Sequence, residues 1–137
     1  MSDPGLWQTR VRYAETDQMG VAHHSVYAVW FEAARVSLFD SLGLPYRQIE
    51  AEGCYLMLTR LEVEFRKAAH FDELLTVTAW PGEVGSRKLQ VRYRITRQGD
   101  ELARGHTEHV ATDRSYRLTR LPENLLARLS HPGGDRT

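Results

Sequence analysis

The 137-residue chain has one cysteine, Cys54, so no disulfide can form within it. It has no apolar run near the length of a membrane-spanning helix. Its opening stretch, MSDPGLWQTR, lacks the charged-then-apolar layout of a secretory signal. Together these absences predict a protein of the reducing cytoplasm with no membrane insertion. Charge of one sign is also missing: 18 basic residues balance 18 acidic ones. A chain with no net field has little to hold a polyanion, which argues against nucleic acid as a partner. Neither a Walker phosphate loop nor a GxGxxG turn is present, and there are no repeats, low-complexity tracts or internal linkers. A length of this order supports one core, so residues 1–137 are read as a single domain, with its body over about 6–121 and a short helix and tail over 122–137.

What is present is patterned. LWQTRVRYAE alternates, with Trp7, Thr9, Val11 and Tyr13 on one face and Gln8, Arg10 and Arg12 on the other, which predicts a half-buried strand. From Val26 to Asp40 the only polar residues are Glu32, Arg35, Ser37 and Asp40. That pattern predicts a helix covered on nearly every side, with Ser25 as N-cap, Gly43 as C-terminal stop and Pro45 blocking extension. Four further strands are expected over Leu56–Phe65, Glu73–Trp80, Arg87–Thr96 and Glu101–Asp113, and a short helix over Leu121–Leu129. The links PGEVGS and RQGD are short, so the strands should pair antiparallel in a meander. Ala103, Gly105, Thr107 and Ala111 share one small face, which would let a sheet close over Tyr27, Trp30 and Phe31. The fold class is therefore α+β: one curved antiparallel sheet wrapped around a central helix. Such a sheet has free edges, and pairing them between copies predicts a homodimer or a homotetramer.

Asp17 is the first candidate for chemistry. It follows a strand, sits in a turn broken by Gly20, and precedes the helix start, where unpaired amides favour negative charge. One reading is a turn aspartate bonded to its own backbone. The other has those amides polarise a carbonyl while the carboxylate attacks it or activates water. His23 and His24 allow a general acid/base role, especially for His24, or a capping role. A metal site is disfavoured, because adjacent side chains in a turn diverge and no ligand spacing completes a set. Glu32 and Arg35, three apart on an apolar helix, predict an ion pair with each other or with a second copy. Cys54 has no basic partner in AEGCYLM and reads as a small core residue. His106 and His109 should face opposite ways, and Glu62 and Glu64 should lie on an outward face. The turn pair Arg87–Lys88, beside Gly85 and Ser86, is placed to hold phosphates.

The stretch RYAETDQMGVAHHSVYAVWFEAAR resembles the opening of the hotdog-fold acyl-CoA thioesterases, in the branch of 4-hydroxybenzoyl-CoA thioesterase and the Tol-Pal-associated proteins. The matching positions are Thr16, Asp17, Gly20, His24, Tyr27, Glu32 and Arg35, and similarity continues through VEFRKAAHFDE and EHVATD to LPENL. The resemblance implies metal-free and cofactor-free hydrolysis of an acyl-CoA by a dimer or a dimer of dimers. It makes Asp17 the catalytic carboxylate and the His24 amide the group that polarises the carbonyl. Gly20, His23, Tyr27 and Glu32 would line the substrate site, and Arg87 and Lys88 would meet the CoA phosphates across a subunit interface. Val26 stands where the family commonly has Asn or Ser, His23 where it often has an aromatic residue, and Ala68–Ala69 in place of Pro-Ala. Two other activities stay open at this level: hydration or dehydration of an acyl thioester on the same fold, and a non-catalytic module that binds acyl-CoA or a protein partner.

Overall fold

A computed structural model describes residues 5–130. The chain runs β1 (Gly5–Arg10), α1 (His24–Ser41), α2 (Tyr46–Ala51), β2 (Tyr55–Phe65), β3 (Leu74–Val84), β4 (Lys88–Arg97), β5 (Asp100–Thr112) and α3 (Glu123–Ser130). The strands form one antiparallel sheet in the order β1-β3-β4-β5-β2, curved around α1. This is the expected hotdog architecture. The predicted tail lies beyond Ser130, outside the described residues.

The core forms where α1 meets the concave face of the sheet. Tyr27, Trp30, Phe31, Ala34 and Leu38 recur at helical spacing and are all buried. Opposite them, Leu89, Val91, Tyr93 and Ile95 alternate along β4 and are buried too. The small face of β5 does what its residues suggested. A Cβ on Gly105 would collide with the Glu62 carbonyl and press on Phe31 Cε2 at 3.0 Å, so a hydrogen here lets helix and sheet touch. Phe31 then lies flat on Tyr93, with ring centroids 4.2 Å apart and planes 5° apart. Cys54 is buried, and burial raises its thiol pKa, as suits a packing residue.

Several boundaries differ from expectation. β1 ends at Arg10, because the chain turns into a 3-10 turn at Tyr13–Glu15 in which the Glu15 carboxylate caps the Arg12 amide at 2.8 Å. Tyr13 is consequently exposed and does not extend the inner strand face. The N-cap of α1 is His23, not Ser25, and the helix starts two residues before Val26. Pro45 does stand beyond the end of α1, but it also opens the short helix α2, which periodicity did not reveal. β3 continues through Pro81 to Val84, with the ladder irregular there, so the β3–β4 turn falls at Gly85–Arg87. The strands are not one continuous meander. β3, β4 and β5 follow in order, whereas β2 lies on the far edge beside β5. The link from β2 to β3 is long enough to cross the fold, and it is tied down midway by the Ala22 amide donating to the Ala69 carbonyl at 2.8 Å.

The two edges are unlike. β1 is six residues long. β2 is eleven long, and the residues it pairs with the inner face of β5 are apolar: Leu58, Leu61, Val63 and Phe65. Leu58, Leu61 and Phe65 remain exposed, alongside Val29 and Val36 on the outer stripe of α1. Exposed apolar side chains therefore stand on both the outer stripe of α1 and the edge strand β2.

Candidate active site

The loop from Thr16 to Ala22 is clasped at both ends. Thr16 bridges Ala22, the Asp17 amide donates to the Val21 carbonyl at 2.9 Å, and the His23 amide donates to the Glu15 carbonyl at 2.8 Å. Val21 bridges His70 in the link between β2 and β3, which ties the loop to the sheet. Gly20 takes φ +84° with open space around it, so its role is the left-handed backbone that closes the turn. Asp17, half-buried, is thereby held beside the start of α1.

Both readings of Asp17 find support in its contacts. Its Oδ1 accepts from the Met19 amide at 2.9 Å and the Val21 amide at 3.4 Å, the aspartate turn of the simpler reading. Its Oδ2 takes no bond from a described residue. The carboxylate is thus oriented by one oxygen and has the other to offer.

The helix start is built by His23. Its backbone is extended (φ −66°, ψ 143°), its Nδ1 accepts the Ser25 amide at 3.1 Å, and its carbonyl accepts the Val26 amide at 3.0 Å. Neither bond involves the amide of His24, the first residue of the helix, and it has no acceptor among the described residues. The His24 ring is exposed and lies on the His23 ring, centroids 4.1 Å apart.

Tyr27 and Glu32 divide differently from expectation. Tyr27 is buried, packed edge-on against Phe65 at 4.9 Å and against Trp30, so it is a core residue that also touches edge strand β2. Burial raises its hydroxyl pKa, with the Ala69 backbone opposing. Glu32 is exposed and does not pair with Arg35. Arg35 turns inward, donating from Nε to the Tyr46 hydroxyl at 2.7 Å and from Nη1 to the Tyr93 hydroxyl at 2.9 Å. The partner-seeking cation thus found phenols, brought within reach by α2 and β4, in place of the acid one turn away.

Beyond Arg35 the chain of bonds continues. The Tyr93 hydroxyl meets Thr107 Oγ1 at 2.6 Å, and His109 Nε2 meets the same oxygen at 2.8 Å. His109 is pushed down to about 4 by burial first and the Arg35 charge second, the Leu56 backbone offsetting part of this. Its Nδ1 is buried without a well-formed hydrogen bond. This network escaped sequence reasoning; the one available signal was a tyrosine and a histidine at inward positions of strands. His106, by contrast, faces outward toward Glu62 and Glu108, and Glu64 pairs with Arg104 at 2.8 Å, as the alternation predicted.

Arg87 and Lys88 are exposed at the β3–β4 turn, away from Asp17. The register makes this plain: Leu74 pairs with Arg10, near the Asp17 loop, while Val84 leads into the turn. Eleven strand residues separate the two ends, about 35 Å of sheet. Within one chain these cations and Asp17 are not brought together. Among the described residues no cluster of three or more His, Cys, Asp or Glu could hold a metal ion. No helix there is long and apolar enough to cross a membrane.

With the site's geometry in place, comparison with known proteins is decisive at the family level. Residues 11–129 match the model of the thioesterase-like superfamily. The chain belongs to that superfamily. It is 32% identical over 108 residues, 78% of each chain, to YneP of Bacillus subtilis, provisionally named an acyl-CoA thioesterase. Among solved structures, the hypothetical protein TT1821 of Thermus thermophilus superposes with a TM-score of 0.88 at 45% identity, over 92% of this chain and 97% of that one. The DHNA-CoA thioesterase of Staphylococcus aureus gives 0.87 at 27% identity, over 97% and 96%. This thioesterase-like chain therefore shares its fold with a thioester hydrolase over 97% of its length.

Proposed function

We propose that the protein is an acyl-CoA thioesterase, cleaving an acyl-CoA to the free acid and CoA with Asp17 as the reacting carboxylate. The observation that carries this reading is that one half-free carboxylate and one unspent helix amide, that of His24, lie seven residues apart on the clasped loop that enters α1. In the reaction the carbonyl oxygen would lie on the His24 amide, at the positive end of α1, where charge develops as the carbonyl is attacked. Asp17 Oδ2 either attacks the carbonyl carbon, giving a mixed anhydride that water hydrolyses, or removes a proton from the attacking water. In both routes the C–S bond breaks, the sulfur leaves as CoA thiolate and takes up a proton, and water supplies the oxygen of the acid. His24 would serve as donor through its backbone, with its exposed ring at the mouth of the site.

The acyl group would lie between α1 and β2, over Tyr27 and past Val29, with Glu32 alongside. A second copy, pairing through edge strand β2, would cover that space and bring its own Arg87 and Lys88 toward the first copy's Asp17 end, where the CoA phosphates would sit. That Arg87 and Lys88 lie at the opposite end of β3, about 35 Å of strand from the end beside the Asp17 loop, supports such a shared site. Of the family branches, the aromatic acyl-CoA hydrolases are the finer reading, since apolar and aromatic side chains stand exposed on these two elements.

The test is thiol release from a panel of short, long and aromatic acyl-CoAs, comparing wild type with Asp17→Ala and subtracting enzyme-only blanks for Cys54. Turnover by wild type, with a fall of about 10²–10⁴-fold in a folded Asp17→Ala, is the expected result. Equal rates in both proteins would remove Asp17 from the mechanism. Loss of conjugated absorbance from crotonyl-CoA without thiol release would replace hydrolysis by hydration.

A further inference from the structure

His23 occupies a position where side-chain chemistry and helix geometry meet. N-caps are ordinarily Ser, Thr, Asp or Asn, whose oxygens accept at every accessible pH above the carboxylate range. Here the acceptor is an imidazole nitrogen, Nδ1, which takes the Ser25 amide at 3.1 Å and lies 2.9 Å from the Ser25 hydroxyl. Because a backbone N–H can only donate, Nδ1 must carry a lone pair, so the neutral ring has its proton on Nε2 and the Ser25 hydroxyl donates as well.

We propose that His23 is a positioning residue: its neutral imidazole caps α1 and so aims the His24 amide at the thioester carbonyl, and protonation of the ring releases that aim. This rests on the thioesterase reading given above. A proton on Nδ1 would set two donors face to face at the Ser25 amide and place a cation at the positive end of the helix. Either effect opposes the cap, and both act one residue from the carbonyl-binding amide. The other titratable and charged groups at this corner have separate engagements. Arg12 holds the Glu15 carboxylate at 3.1 Å, Asp17 Oδ1 is in its turn, and the His24 ring lies against His23. Tyr27 is buried one turn along α1. On the facing link and β4, His70 and Arg97 both approach the Glu73 carboxylate, at 3.6 Å and 2.8 Å.

The experiment compares wild type, His23→Asn and His23→Ala by pH-dependent kinetics and by following the Ser25 amide in a ¹⁵N–¹H titration. Asn keeps a capping oxygen and cannot protonate; Ala keeps neither property. His23→Asn should stay within about threefold of wild-type kcat at neutral pH, while His23→Ala drops about fivefold to tenfold in kcat with KM little changed. The acid limb of kcat should extend to lower pH in His23→Asn, and the Ser25 amide should titrate with the His23 ring in wild type only. A His23→Ala enzyme with wild-type kcat, or a His23→Asn enzyme with the wild-type acid limb, overturns the proposal. Should wild type cleave no thioester at all, the hydrolase reading fails, and the Ser25 titration alone then judges the cap: its absence in wild type overturns it.

Discussion

Two polar clusters sit on α1 about 17 Å apart along its axis, one at His24 and one at Arg35, and they are built on opposite terms. At Arg35 the groups are enclosed and spend their bonds on one another: guanidinium to two phenols, phenol to threonine, threonine to histidine. At the helix start the groups are half-wet, and each keeps something in reserve, Asp17 one oxygen and His24 one amide. A polar group whose bonds are all internal can hold a fold together but has nothing left for a substrate. Chemical similarity therefore misleads here. The more buried histidine, His109, is tied into the scaffold, while the half-buried His23 and exposed His24 at the helix start are the pair the proposed chemistry would use.

The largest expected effect that tests this division comes from exchanging costs between the clusters. Asp17→Ala should abolish most turnover while shifting the urea unfolding free energy by less than about 1 kcal/mol, since its ring of backbone bonds is at the surface. Tyr93→Phe keeps the ring stacked on Phe31 but strips the hydroxyl that joins Arg35 to Thr107. Denaturant unfolding should then show a loss of about 1–3 kcal/mol with turnover largely kept. Comparable stability losses in the two variants would erase the distinction.

A pH titration of stability gives the next effect. His109, pushed down to about 4 in the folded protein by burial and by Arg35, binds its proton more readily once unfolded, where the ordinary value is about 6.5. Sign follows from linkage: above about 6.5 the ring is neutral in both states and costs nothing. Stability should fall as pH drops from there toward about 4, then level off for this group. The urea midpoint should trace that fall, and His109→Gln, which retains a donor and an acceptor, should flatten it. A smaller change belongs to the loop. Gly20→Ala meets no atom within 4 Å, so only its φ of +84° resists, a cost of about 1–2 kcal/mol. A larger loss would mean that the Asp17 turn carries more of the fold than its exposure indicates.

How much of this was legible beforehand depends on the range of the physics involved. Alternation along β4 and β5, and the apolar body of α1, report on local burial, and they led to the α+β class, the central helix and the outward faces of Glu62, Glu64 and His106. The Asp17–Gly20–His24 spacing was readable because loop and helix are contiguous in sequence. The position of β2 beside β5 was not, since eight linking residues are compatible with either edge. Arg35 was misread for a related reason. Spacing of three on a helix offers Glu32 as its partner, but Tyr46 and Tyr93, 11 and 58 residues away, are presented by elements whose placement no local pattern records. A capping histidine was open in the sequence, but Ser25 was preferred as the N-cap of α1 because capping preferences are statistics of oxygen-bearing side chains, and His23 succeeds here through one tautomer.

The exposed residues of α1 and edge strand β2 have a consequence for how this chain can change over time. Val29, Glu32 and Val36 on the helix, and Leu58, Leu61 and Phe65 on the strand, are exposed and lie outside the packed interior. Residues proposed to shape the acyl compartment are therefore almost disjoint from residues that keep a single chain folded, Tyr27 being the shared member. Substitutions at these exposed positions should cost little folding free energy. If acyl groups bind there as proposed, new acyl preferences are within reach of single mutations, with the Asp17 corner and the Arg35 network passed on unaltered.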